Sequence, residues 1–195
     1  LNNFKGIILV VFGADPLIAN NTFRRMLEEC KNGSSITVLG FRPKDTANYG
    51  KLIIDSNGDL NKIVEFGDST EEERKINLCN GGAMAIESSI FWSLIDSIDN
   101  NNNKKEYYLT DIVSLAKKRN IKCSVIEGKE EELLGVDTQY DLSLVEKVVQ
   151  NDLRKKHMKN GVTFLDPHTV WLSFDTQIES NVLIEPNVMI GKNVF

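Results

Sequence analysis

Residues 178–195 repeat with a period of six, and this repeat constrains the fold more than any other feature of the sequence. The recurring positions are Ile178, Ile184 and Ile190, followed by Val182, Val188 and Val194. The side-chain period is about two in a strand and about 3.6 in a helix, and neither requires a spacing of six. Such a spacing is typical of a parallel β-helix, a triangular solenoid in which each hexapeptide forms one side. We therefore predict that each Ile points into the core and each Val turns a corner.

An ordinary pair of strands whose sequences repeat by chance is the alternative interpretation of this segment. Three hexapeptides form only one coil, with an unpaired edge and a small core. If the segment is a β-helix, we expect further coils to follow it.

Upstream of the repeat, apolar strands alternate with amphipathic helices. Residues 6–12 form a β-branched run typical of a strand buried on both faces, and residues 35–41 predict a second strand. Residues 78–86 predict a strand broken by a Gly pair, and residues 142–157 carry the apolar stripe of a long helix. This alternation predicts an α/β layered domain with a mostly parallel sheet.

Three places carry helix-start signals. Asn21 or Thr22 is expected to cap the first helix, and Thr70 with Glu73 has the spacing of a capping box. Thr110 or the residue before it is expected to open a later helix. These signals predict where the helices begin.

The composition and the net charge of the chain exclude some classes of partner. The 195 residues carry a net charge of −5 with interspersed lysines and acids, so we expect no nucleic-acid partner. An anionic ligand must then be held by local groups or by a metal.

The three cysteines, Cys30, Cys79 and Cys123, are few and widely separated, which favours a reducing compartment over disulfides or zinc. No apolar run approaches the ~18 residues of a membrane span, and no secretory signal is evident. We expect a cytoplasmic protein without a membrane partner.

The chain lacks an initiator Met and opens almost directly on a predicted strand. We therefore expect that upstream sequence is missing.

Several motifs occur in a fixed order along the chain. They are FGADPL at residues 12–17, NYGK at 48–51, IVE at 63–65, CNGG at 79–82, EYYLTDI at 106–112 and LGVDT at 134–138. Together with the hexapeptides, this series resembles the bifunctional N-acetylglucosamine-1-phosphate uridylyltransferase/glucosamine-1-phosphate acetyltransferase family over essentially the whole chain. The motifs most specific to this family are EYYLTDI, the GVD before a long helix and the hexapeptides. NYGK alone is weak evidence for the resemblance.

The resemblance implies a Rossmann-like nucleotidyltransferase domain that is incomplete at its N-terminus. It implies domain bounds of 1–137 for that domain, 138–160 for a linker helix and 161–195 for the start of a left-handed parallel β-helix. The family's glycine-rich UTP loop would lie upstream of this chain, and its acetyl-CoA site and catalytic histidine would lie downstream. We therefore expect this chain alone to be inactive.

The implied reaction joins UTP and N-acetylglucosamine 1-phosphate to give UDP-N-acetylglucosamine and pyrophosphate, for peptidoglycan and lipopolysaccharide precursors. The full-length protein would also use acetyl-CoA to acetylate glucosamine 1-phosphate, and it would be a homotrimer. Both uridylyl-transfer substrates are anionic, so Mg²⁺ is the expected cofactor.

The resemblance places the metal ligands at two positions where this sequence departs from the family. An acid of the family aligns with Ala14, although Asp15 stands beside it, and an Asn aligns with Asp137. Asp15 and Asp137 are therefore the predicted Mg²⁺ ligands. Asp15 could instead be a turn residue before Pro16, since an extended segment would point it away from the site. Asp137 could instead, or in addition, cap the long helix.

The sugar contacts also follow from the resemblance. Asn80 would hydrogen-bond the N-acetylglucosamine, Glu65 would accept from a sugar hydroxyl, and Gly50 would present a backbone N–H. The predicted substrate-binding residues are Phe12, Gly13, Ala14, Gly50, Glu65, Asn80 and Asp137. Read without the family, Asn80 could belong to a bulge with the next two glycines, and Glu65 could be a surface charge. A Lys that is frequent in the family two residues after Glu65 is replaced by Gly67.

Two other functions stay open at this point. Ala14 and Gly67 favour a degenerate relative that acts as a structural or assembly module. A pyrophosphorylase for another sugar phosphate is the other alternative, because the uracil-reading loop is not in this sequence.

Overall fold

The computed structural model describes residues 4–46 and 48–194, and it divides the chain into two compact units. The first unit spans Leu1–Gly135 and the second spans Val136–Phe195. Each unit has its own hydrophobic core.

A six-stranded sheet forms the centre of the first unit. Its strands are β1 (Ile7–Val10), β2 (Ile36–Phe41), β3 (Lys51–Ile54), β4 (Leu60–Val64), β5 (Cys79–Glu87) and β6 (Cys123–Glu127). The order is β4-β3-β5-β2-β6, and β1 also pairs with β5. Among the described strands of this sheet, only β2 and β6 pair in parallel. The prediction of a mostly parallel sheet was therefore wrong.

The antiparallel pairing has a local cause in the β3–β4 hairpin. Asp55 turns the chain there, because its carboxylate accepts hydrogen bonds from the backbone N–H groups of Asn57 and Asp59 at 2.9 and 3.1 Å. A connection this short permits only antiparallel strands. No helix lies between β3 and β4 to form a parallel crossover.

Helices cover both faces of the sheet. They are α1 (Asn20–Lys31), α2 (Glu71–Arg74), α3 (Ser88–Ile95) and α4 (Asp111–Lys118). Met26 and Cys30 of α1 pack in one core with Leu39 of β2. Leu94 of α3 and Ile112 of α4 belong to the core on the opposite face. This arrangement confirms the α/β layers predicted from the alternating pattern.

The predicted cap of α1 was wrong. Ala19 stands at the cap position, and no side chain caps this helix. The hydroxyl of Thr22 instead donates a 2.6 Å hydrogen bond to Glu132. In α2, however, Thr70 and Glu73 form the predicted capping box.

Strand β1 differs from the buried strand that its sequence predicts. It pairs only with β5 among the described strands. Leu9, Val11 and Phe12 are 36, 47 and 50% exposed. A run of β-branched residues indicates only that a strand is apolar. Whether the strand is buried depends on segments from elsewhere in the protein that cover it.

The second unit begins with helix α5 (Gln139–Lys159) and continues through four two-residue strands, β7 (Thr163–Phe164), β8 (Trp171–Leu172), β9 (Leu183–Ile184) and β10 (Met189–Ile190). Strand β7 pairs with β9 and β8 pairs with β10, in parallel in both cases. The repeating isoleucines pack against a core formed by Val162, Phe164, Val170 and Leu172.

The six-residue period is also visible in the backbone. Asn181, Asn187 and Asn193 have positive φ angles of 65, 61 and 60°. Each directly precedes one of the repeating valines, so the left-handed residue of the turn is Asn and not Val. Asn tolerates this conformation better than a β-branched residue. Whether the segment begins a longer β-helix stays a prediction.

Within the second unit, α5 is joined to the strands by buried polar side chains. Gln150 exchanges two hydrogen bonds with the backbone of Leu172, at 2.7 and 2.9 Å. Arg154 donates to the carbonyl of Val170 at 2.9 Å.

Among the described residues, no helix is long and apolar enough to cross a membrane.

Candidate active site

Three predicted sugar-binding residues lie together at one edge of the first unit's sheet. Gly50 directly precedes β3, Glu65 directly follows β4, and Asn80 is the second residue of β5. The backbone N–H of Asn80 donates to the Gly50 carbonyl at 2.8 Å. A Cβ added at Gly50 would lie 3.2 Å from Glu65 Oε2 and 3.6 Å from Asn80 Cβ. The absence of a side chain at Gly50 thus lets Glu65 and Asn80 pack closely against its backbone.

The Glu65 carboxylate is oriented by Thr110, a residue whose place before a helix predicts chiefly a cap. Thr110 is 7% exposed, and its hydroxyl donates a 3.0 Å hydrogen bond to Glu65 Oε1. Thr110 does stand at the cap position of α4, but its side chain makes no capping hydrogen bond. With Oε1 engaged by Thr110, Oε2 is the oxygen nearest to Gly50.

Asn80 lies at the start of an irregular stretch of β5. The pairing of β5 with β2 shifts register between Met84 and Asn80, so the strand bulges there. Asn80 Oδ1 accepts from the N–H of Gly82 at 3.2 Å, and Gly82 has a φ of +80°. The bulge that the sequence offered as one interpretation is present, and it lies beside Glu65 and Gly50. The sugar contact of Asn80 stays a prediction.

The segment around Phe12 packs against the same bulge. A Cβ added at Gly82 would lie 2.6 Å from the Phe12 ring and 3.0 Å from Asp15 Oδ2. The other Asp15 oxygen would lie 3.5 Å from a Cβ added at Gly135. Only a glycine at position 82 therefore allows Phe12 and Asp15 this close approach.

Asp15 is both a turn residue and a neighbour of the bulge. Its N–H donates to the Phe12 carbonyl at 3.3 Å, which closes a turn. The turn that the sequence offers as the alternative for Asp15 is therefore present, and its role as a Mg²⁺ ligand stays a prediction. Gly13 is exposed and Ala14 is half-buried within this turn; their predicted contacts with substrate stay predictions.

The surroundings of the site are acidic. Burial raises the pKa of Asp111, and the nearby carboxylates of Asp99, Glu65 and Asp68 raise it further. Burial also raises the pKa of Tyr49, and Asp15 is among the acids that add to this shift. An anionic ligand placed here would need a cation or a metal to offset this charge.

Asp15 has the chemistry of a Mg²⁺ ligand, because its carboxylate supplies hard oxygen atoms beside the bulge. The described residues contain no cluster of three or more acidic, His or Cys side chains able to hold a metal. Mg²⁺ commonly takes only one or two protein carboxylates and completes its shell with phosphate oxygens and water. The residues present fit that kind of site.

Asp137 belongs to the second unit, so its predicted place beside the sugar phosphate stays a prediction. It is exposed, and it is not the cap of α5. The neighbouring Thr138 is that cap and forms a capping box with Asp141. The alternative role proposed for Asp137 from the sequence was therefore wrong by one residue.

Comparison with known proteins relates the whole chain to one group of bacterial proteins. It is 46% identical to the bifunctional protein GlmU of Paramagnetospirillum magneticum over 196 aligned positions, which cover 100% of this chain and 43% of that protein. It is 39% identical to GlmU of Zymomonas mobilis, with 100% of this chain and 44% of the relative covered. The chain spans somewhat less than half the length of these relatives. No protein-family model matches it.

Solved structures share the fold at low sequence identity. A CMP:2-keto-3-deoxy-manno-octonic acid synthetase in complex with CTP is 13% identical with a TM-score of 0.51, covering 75% of this chain and 62% of that one. A Bacillus anthracis protein assigned as a glucose-1-phosphate thymidylyltransferase is 21% identical with a TM-score of 0.54, covering 74 and 55% of the two chains. These likenesses show a Rossmann-like nucleotidyltransferase fold. Taken with the relatives that match it from end to end, the chain corresponds to a segment of a protein of the bifunctional GlmU family.

Proposed function

We propose that this chain forms part of an enzyme that transfers a uridylyl group from UTP to N-acetylglucosamine 1-phosphate. The observation that supports this proposal most directly is the contact of Gly50, Glu65 and Asn80 at one sheet edge. Backbone, carboxylate and amide groups together can bind the hydroxyls and the acetamido group of such a sugar. The names of the relatives and the nucleotidyltransferase fold support the same reaction class.

Each of the three residues has a distinct role in this proposal. Glu65 accepts a hydrogen bond from a sugar hydroxyl, while Thr110 holds its other oxygen. Asn80 uses its amide oxygen within the bulge and presents its NH₂ group as a donor. Gly50 lets the Glu65 carboxylate approach the backbone closely, and it offers its N–H to the acetamido group. A missing hydroxyl or amide on the substrate would leave these groups unpaired, which is the basis of selectivity.

In the proposed reaction, a phosphate oxygen of the sugar attacks the α-phosphorus of UTP. A new P–O bond forms, and the bond to the β-phosphate breaks to release pyrophosphate. Both reactants are negatively charged, so the barrier is chiefly one of repulsion and positioning. Mg²⁺, when bound, would neutralise charge on the phosphate oxygens. Within the first unit, Asp15 is the residue proposed to hold it, and the sugar-binding residues hold the attacking phosphate in place.

For the full-length protein we also propose acetyl transfer from acetyl-CoA to glucosamine 1-phosphate and a homotrimeric assembly. The C-terminal hexapeptides support a β-helix, because parallel pairing and left-handed Asn residues both follow the six-residue period. These activities rest on the family resemblance and on residues beyond this chain.

A degenerate relative that serves only in assembly is the second candidate. Ala14 offers no metal ligand, and Gly67 offers no cation. The Gly67 carbonyl instead accepts a 3.1 Å hydrogen bond from the side chain of Asn103. This candidate predicts a full-length protein that folds and assembles without turnover.

An assay of pyrophosphate release by the full-length protein tests the proposal. We expect Mg²⁺-dependent release from UTP with N-acetylglucosamine 1-phosphate, and little with glucose 1-phosphate. Asn80→Ala should lower kcat/KM for the acetamido sugar by about 10- to 100-fold, because a hydrogen bond to the sugar is lost. Asn61→Ala is the matched control, since Asn61 is exposed on the neighbouring strand β4. A correctly assembled wild type without turnover would support the second candidate, and equal use of both sugars would support another pyrophosphorylase.

A further inference from the structure

Lys51 is completely buried, although lysine is among the residues least often found inside proteins. It is the first residue of β3, and its exposure is 0%. A buried ammonium group costs free energy unless it is paired and hydrogen-bonded. Its contacts therefore indicate what it holds in place.

The ammonium group joins two parts of the candidate site. Lys51 Nζ donates to the carbonyl of Thr46 at 2.5 Å and lies 3.5 Å from the Sγ atom of Cys79. Cys79 is also 0% exposed, and it is paired with Lys51 across β3 and β5. The side chain thus connects the chain five residues upstream to the strand that carries Asn80.

Residues 48–50 directly precede Lys51 and include Gly50. Asn48 has a positive φ of 70°, and the ring of Tyr49 packs edge-on against Phe41 with centroids 5.0 Å apart. At the end of the segment, the Gly50 carbonyl accepts from Asn80. Strand pairing therefore fixes Gly50, and the Lys51 ammonium holds the Thr46 carbonyl on the N-terminal side of residues 48–50.

We propose that Lys51 is a positioning residue: its ammonium group, through the Thr46 carbonyl and beside Cys79, sets the backbone of residues 48–50 against Glu65 and Asn80 for binding of the amino-sugar phosphate. This role rests on the proposed function. Lys51 does not contact the substrate, and it acts by fixing where the Gly50 backbone lies.

Kinetics of the full-length protein carrying Lys51→Met test the role. The variant keeps the length of the side chain and removes the donor. We expect the KM for N-acetylglucosamine 1-phosphate to rise about tenfold, as for loss of one charge-assisted hydrogen bond, while the KM for UTP stays the same. Lys51→Arg, which keeps a cationic donor, should recover part of the loss. Lys62→Met is the control, because Lys62 lies on β4 and pairs with Glu73 outside the site.

Hydrogen exchange of the same variants separates the inference from the proposed function. Lys51→Met should accelerate exchange at residues 48–50 and at the Asn80 N–H, with little change elsewhere in the sheet. If the wild type shows no turnover, the proposed function fails, and the exchange data still decide the role of Lys51. Unchanged exchange, or an equal rise in both KM values with a general loss of stability, would overturn the inference. If Lys51→Met does not fold, Lys51→Gln, which is neutral and too short to reach Thr46, is measured in its place with the same expectations.

Discussion

The hydroxyl group of Thr110 sets the orientation of the Glu65 carboxylate, and it does so from a position 45 residues away in the chain. Thr110→Val keeps the shape of the side chain and removes the donor. We expect kcat/KM for the sugar phosphate to fall about tenfold in the full-length protein, because hydrogen bonds to charged groups contribute roughly 1.5–3 kcal/mol. Ser114→Ala is the control, since the Ser114 hydroxyl bonds to the Asp111 carbonyl within α4. Equal kinetics for Thr110→Val and the wild type would show that Glu65 does not depend on this bond.

His157 is 4% exposed in the second unit, near the C-terminal end of α5. Burial lowers the pKa of its imidazole, and the neighbouring charge of Lys156 lowers it further. The backbone at Thr176 acts in the opposite direction. The folded protein therefore favours the neutral ring.

The lowered pKa of His157 makes the stability of the second unit depend on pH. Below its usual value of 6.5, the unfolded chain binds a proton that the folded unit takes up less readily, so stability falls as pH decreases. Above about pH 7 this contribution is complete and constant. We expect the thermal unfolding midpoint to drop between pH 7 and 5 in the wild type, and to drop less in His157→Phe. The same slope in both proteins would assign the pH dependence to other groups.

At the scale of elements, the start of α5 depends on a reciprocal cap. Thr138 Oγ1 accepts from the Asp141 N–H at 3.2 Å, and Asp141 accepts from the Thr138 N–H at 2.8 Å. Thr138→Ala should lower the free energy of unfolding by about 1 kcal/mol, the usual cost of losing such a cap. Urea denaturation would measure this, with Ser143→Ala as the control within the same helix. A loss no larger than that of Ser143→Ala would contradict the importance of the cap.

Elements were easier to predict from the sequence than the way they pair. The capping box of α2 and the strand from residue 36 to 41 follow from local patterns, and both are present. The direction in which β5 pairs does not follow from local patterns, because β5 meets β1, β2 and β3 from distant parts of the chain. A local pattern also cannot reveal that a helix start such as Ala19 lacks a capping side chain.

The residues of the candidate site likewise divide into those that the sequence predicts and those that only the fold identifies. Gly50, Glu65 and Asn80 were named from motifs that resemble a family, and the fold brings them together. The support of Thr110 and the burial of Lys51 carry no sequence signal. A threonine before a helix predicts a cap, and a lysine predicts an exposed side chain. Only the tertiary fold assigns these two polar groups to the site.

At the scale of the whole molecule, β1 has one unpaired edge among the described strands, and its surroundings are apolar. Leu9 is 36% exposed, and Val11 and Phe12 follow it with about half of each side chain exposed. An open apolar edge is a template for pairing with another strand. We expect the isolated 195-residue chain to self-associate with increasing concentration, as measured by sedimentation velocity.

Leu9→Lys should reduce this association, because a charge on an edge strand opposes pairing with a second copy. Leu142→Lys is the matched control: Leu142 is 45% exposed, but it lies in helix α5 and belongs to no strand edge. We expect that control to associate like the wild type. If both substitutions reduce association equally, general surface charge is the cause. If the unsubstituted chain stays monomeric at all concentrations, the open edge of β1 is not a site of pairing.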